Sequence, residues 1–159
     1  MYTIATTRFN NFTWEENKKW REKHDWEGCI YGTPVHISEE IPGNTIIFIL
    51  EMNNEENKVE GIGIIYNRLH LDQRYKIYQD QNYNRFTYKS KYRIPRENLS
   101  LEEEKIIKKF DTLLFTGSRH LKRGQGITSI PQYILKNKDK FNYKKYFKNL
   151  FIQHFQNQI

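Results

Sequence analysis

The chain has 159 residues and 19.4 kDa, about one domain's worth, and its 37% apolar and 15% aromatic residues exclude wholesale disorder despite a mean hydropathy of −0.88. No run approaches the ~20 apolar residues of a membrane span, the amino terminus lacks the charged and apolar regions of a signal peptide, and Cys29 alone excludes an internal disulfide or a multi-cysteine zinc site. The charge is uneven: residues 1–80 carry nine basic and thirteen acidic side chains (net −4), and residues 81–159 carry seventeen and six (net +11).

These properties fit one domain over residues 1–159, soluble and intracellular, in the cytoplasm or nucleus and not secreted, with no membrane partner. A polyanion is the expected ligand, because clustered Lys and Arg displace counterions condensed on phosphates. Basic side chains that merely keep the protein soluble are the plain alternative.

In chain order, residues 2–9 (YTIATTRF) alternate loosely and predict a first strand. Thr13 and Glu16 have the spacing of a capping box, with Phe12 as a hydrophobic staple, so a helix is expected from Trp14 to about His24. Gly28, Gly32 and Pro34 predict irregular chain. Ile41-Pro42-Gly43-Asn44 fits a type II turn. The apolar run Thr45–Met52, a polar loop and a strand at Lys58–Asn67 then make the clearest hairpin in the chain. Gly61 and Gly63 inside that second strand imply a bulge, a bend or a close neighbour.

From Tyr83 to Ile94 the alternation is strict. Phe86, Tyr88, Tyr92 and Ile94 are expected on the core side, and Arg85, Lys89, Lys91 and Arg93 on the other. Ser100 and Glu103 form a capping box opening a helix through about Phe115, which Gly117 stops. Tyr143, Tyr146, Phe147, Leu150, Phe151 and His154 predict a last amphipathic helix. The class is α+β: a small bent or closed β-barrel with two to three packed helices.

Two segments carry candidate chemistry. Arg85, Lys89, Lys91 and Arg93, with Arg96 following, would follow a nucleic-acid backbone, since alternate strand residues stand about 7 Å apart, close to the phosphate repeat. Residues 117–126 (GSRHLKRGQG) place Arg119, His120, Lys122 and Arg123 among glycines, with Gly124 and Gly126 letting backbone N–H groups converge on a phosphate. That segment matches neither a Walker A loop nor a dinucleotide fingerprint. Trp26 and Trp14 are candidates to stack on a base. No histidine spacing or acidic pair indicates a metal site, a cofactor or a catalytic centre; His120 is the acid or base only if the chain is an enzyme.

The turn Ile41–Asn44, the strand Thr45–Met52 and the strand containing Glu60-Gly61-Ile62-Gly63-Ile64-Ile65 resemble the central hairpin of PUA-like domains, the group that includes the EVE, YTH and ASCH families. The likeness covers about residues 2–67. It implies a bent barrel that binds RNA or DNA and often holds a flipped or modified base in an aromatic pocket. The YTH cage tryptophans have no positional match, and the ASCH motif Gly-x-Lys-x-x-Glu-x-Arg is absent. The leading expectation is a domain that binds RNA or single-stranded nucleic acid. An enzyme acting on a nucleotide through residues 117–126, and a protein-interaction domain, are the rivals.

Overall fold

Tyr2–Phe9 forms strand β1, as its β-branched and aromatic residues predict, in a computed structural model that describes residues 1–156. Helix α1 (Asn11–Lys23) starts earlier than expected because Asn10, not Thr13, is its N-cap. The Asn10 side chain accepts the Thr13 amide at 2.8 Å, and Thr13 Oγ1 accepts the Asn10 amide at 3.0 Å, which makes Thr13 the inner half of the box. Phe12 is exposed, and the staple positions around the Asn10 cap are filled by Phe9 and Trp14, which pack edge-on.

Cys29–Thr33, expected as irregular chain, is strand β2. The predicted hairpin forms as β3 (Ile46–Asn53) and β4 (Lys58–Tyr66). The turn before it is shifted by one residue: Thr45 donates to the Pro42 carbonyl at 3.3 Å, and the left-handed residue is Asn44 (φ 62°) rather than Gly43. Strands β5 (Phe86–Ser90) and β6 (Arg93–Pro95) follow, then α2 (Leu101–Phe115), capped as predicted by Ser100 and Glu103. A short β7 (Thr128–Ser129), a one-turn α3 (Gln132–Leu135) and α4 (Tyr143–Phe155) complete the order.

The class is α+β. One mixed sheet runs β6-β4-β3-β1-β7, with β1 and β3 parallel, and β2 pairs with β5 in a separate two-stranded ladder. Among the described residues the two ladders do not join into a ring, so the expected closed barrel is not what the hydrogen bonds make. The strand period explains the layers. On β3, Phe48, Leu50 and Met52 face α2 and α4, where Phe110, Phe147 and Phe151 pack; Ile47 and Ile49 face Trp20, Tyr31 and Tyr88 on the α1 side.

Glu51 continues the α1-side row and is buried. Its carboxylate accepts Tyr31 Oη–H at 2.7 Å and two Arg93 donors, Nη2 at 2.6 Å and Nε at 2.9 Å. Burial pushes the Glu51 carboxyl up, but the Arg93 charge and hydrogen bonds, with Arg21 and Tyr31, outweigh it and hold the carboxyl below its ordinary range. This network explains the strand glycines. A Cβ on Gly61 would stand 2.6 Å from Arg93 Nη2 and 2.8 Å from Glu51 Oε1, and one on Gly63 would collide with the Tyr31 hydroxyl and Cys29. The β3–β4 register also slips beside Glu51, between Leu50 and Met52.

The strict alternation expected over residues 83–94 fails at Lys91–Tyr92. Ser90 Oγ donates to the Ile64 carbonyl and accepts the Tyr92 amide at 3.1 Å, bending the chain between β5 and β6. Arg93 turns inward beside Ile94, and the outward row of cations is broken.

Candidate nucleic-acid interface

A cavity of about 240 Å³ lies where the end of β1 meets the 122–126 loop. Arg8 and Phe9 line it from β1, Asn54 from the β3–β4 turn, Tyr78 and Tyr83 from the chain before β5, and Lys122 with Gly124–Gly126 from the loop. The loop is held by Arg8, whose Nη1 donates to the Leu121 carbonyl at 3.1 Å and whose Nη2 donates to Gly126 O at 2.6 Å and Thr128 Oγ1 at 3.0 Å. Gly124 lies flat on this guanidinium, since a Cβ there would come within 2.7 Å of Arg8 Cζ. Gly126 takes a left-handed φ of 73° that suits glycine. Asn54 Nδ2 donates to the Lys122 carbonyl at 2.9 Å and pins the loop from the other side.

Two polar atoms of this wall are buried and unpartnered: Arg8 Nε–H and Asn54 Oδ1. A donor and an acceptor without partners cost roughly 1–3 kcal/mol each in a protein interior. Burial also lowers the Arg8 pKa to about 10. The aromatic side of the cavity is Tyr78 packed edge-on against Tyr83, with ring centres 6.2 Å apart, and Asn17 Nδ2 donates to the Tyr78 hydroxyl at 3.0 Å.

The sequence candidates separate into engaged and available groups. Arg93 is spent on Glu51, and Arg96 lies 2.6 Å from Glu104 Oε1 and 2.8 Å from Asp111 Oδ2, tying β6 to α2. Lys89 Nζ sits over two rings, 4.6 Å from the Trp26 centroid and 5.0 Å from Tyr75. Arg85 and Lys91 are exposed, each beside its neighbouring ring, Phe86 or Tyr92. In the second segment Lys122 lines the cavity, Arg123 is exposed, and Arg119 stacks on Tyr133 at 5.0 Å. His120 Nδ1 accepts the Lys122 amide at 3.2 Å, so this ring shapes the loop.

Neither tryptophan lines that cavity. Trp14 packs edge-on against Phe9 at 5.3 Å, and Trp26 donates its indole N–H to the Cys29 carbonyl at 3.0 Å. Sequence reasoning missed Arg8, Asn54 and Tyr78. Arg8 carried a signal, as the only charge in an otherwise uncharged strand, YTIATTRF. Among the described residues no three His, Cys, Asp or Glu side chains gather as metal ligands, and no helix is long and apolar enough to cross a membrane. Compared with known proteins, the chain matches no family model, no curated protein and no solved structure.

Proposed function

We propose that the chain binds nucleic acid, as RNA or a single strand, and that the cavity between Arg8, Lys122, Tyr78 and Tyr83 accepts one unstacked nucleotide. The observation carrying this reading is the coincidence, in one concave site, of two tyrosines packed edge-on, two cations, and a buried donor and acceptor that lack partners. A base edge offers complementary acceptors and donors, its face suits the rings, and its phosphate suits Lys122 with Arg123 beside it. The +11 charge of residues 81–159 supplies long-range attraction.

The likeness to PUA-like domains rests on the β3–β4 hairpin alone, since the β2–β5 ladder stays separate from the main sheet, and holding a flipped or modified base belongs to the same proposal. Tyrosines would do the stacking here, since Trp14 and Trp26 stand elsewhere. The test is binding of a labelled single-stranded oligoribonucleotide by fluorescence anisotropy. Tyr83→Ala is expected to weaken it roughly tenfold, the usual worth of one base–aromatic stack. A folded Tyr83→Ala protein that binds as tightly as the parent would overturn the assignment of the cavity.

A further inference from the structure

We infer that a second site, for a phosphoryl oxyanion, lies on α1, where Trp14, Lys18 and Arg21 share one face at helical spacing. These side chains line a cavity of about 330 Å³ together with Lys58, Arg93 and Arg96. Three of the six already have acids: Arg93 has Glu51, Arg96 has Glu104 and Asp111, and Lys58 has Glu60 at 3.3 Å.

Arg21 is different. Its Nε donates to Asn17 Oδ1 at 2.9 Å, but its two terminal nitrogens have no partner among the described residues, although the side chain is half-buried. Its guanidinium carbon lies 5.2 Å from the Trp14 ring centre and that of Arg93 lies 5.3 Å from it, so two cations share one indole. Burial and the Arg93 charge lower the Arg21 pKa, against the opposing pull of the Glu51 charge. Among the described residues the Trp14 indole N–H has no acceptor, and Lys18, which is exposed, has no ion pair. Of the acids at this cavity, Glu60 is held by Lys58 and by Asn53 at 3.2 Å, and Glu97 lines it as an exposed side chain.

The cavity therefore presents a forked guanidinium and an ammonium beside the Trp14 indole, with Glu97 as the acid left to compete for them among the described residues. A tetrahedral oxyanion answers several donors arriving from different directions, whereas a carboxylate would be saturated by the guanidinium alone. The shared chemistry is a phosphoryl group, either a backbone phosphodiester or a free phosphate. This site is separate from the nucleotide cavity, since Arg8, Tyr83 and Lys122 take no part in it.

The experiment is an NMR titration of the Trp14 indole N–H, assigned by Trp14→Phe, with inorganic phosphate and with dimethyl phosphate, against sodium chloride at equal ionic strength. A saturable shift with either phosphate is expected. Arg21→Gln should weaken it about tenfold or more, the worth of charge-assisted hydrogen bonds, and Lys18→Gln, at an exposed position, should weaken it less. Preference for dimethyl phosphate would identify a nucleic-acid backbone as the source, and preference for inorganic phosphate a free phosphate. A shift that chloride reproduces, or one unchanged in both variants, would overturn the inference.

Discussion

Arg93 and Glu51 form a forked pair, Nη2 to Oε1 at 2.6 Å and Nε to Oε2 at 2.9 Å, with both side chains almost fully buried. Such a pair adds little net stability compared with apolar packing, yet losing one partner strands a charge where water cannot reach it. Arg93→Ala is therefore expected to cost about 3–5 kcal/mol in urea unfolding. Exposed Lys91, two residues away in sequence, should change stability by no more than about 0.5 kcal/mol when replaced by Ala. Equal effects would mean that Arg93 is solvated after all.

Gly61 leaves the room that this pair occupies. Gly61→Ala should destabilise by about 1–3 kcal/mol through overpacking. The double variant with Arg93→Ala should lose less than the two single losses together, because the methyl then fills vacated space. A double-mutant cycle in urea measures the coupling, and strict additivity would contradict the geometry.

Glu104 accepts hydrogen bonds from Arg96, which hold its carboxyl below the ordinary 4.5. A carboxyl with a lowered folded pKa contributes stability that is complete above its unfolded value and is lost as pH falls through the folded one. Stability should thus be flat above pH about 4.5 and decline below it, and Glu104→Gln should shrink that decline. Thermal unfolding from pH 3 to 7 reads this out. The Glu104 side chain is 37% exposed, so the effect is small beside that of Arg93.

The helices and the central hairpin were legible because their signals are local: the Ser100–Glu103 cap, the apolar β3 run, and the spacing of Phe147, Leu150 and Phe151. Strand β2 was not, since its pairing depends on β5 some sixty residues on and its Gly32 reads as a loop. The cation row failed for the same reason. Alternation fixes which residues share a strand face, but Glu51, which draws Arg93 inward, lies on a different strand. The cavity beside the 122–126 loop was half legible: residues 117–126 pointed to it, while Arg8 and Asn54 meet that loop only through tertiary packing.

Gly124 rests on the Arg8 guanidinium. Gly124→Ala should push that side chain off the loop carbonyls, speed amide exchange over residues 121–128, and weaken oligonucleotide binding while leaving the α2–α4 packing intact. Hydrogen exchange followed by mass spectrometry tests it. Unaltered protection of the loop would show that Arg8 does not hold it.

The most direct test of nucleic-acid binding is the salt dependence of affinity for a single-stranded oligoribonucleotide, measured for the parent and for Lys122→Glu with Arg123→Glu. The logarithm of the association constant should fall linearly with the logarithm of salt. At roughly 0.7 per phosphate contact on a single strand, the double variant should bind more weakly with a slope shallower by about 1.4. Affinity indifferent to salt, or a slope that the charge reversals leave unchanged, would contradict the account.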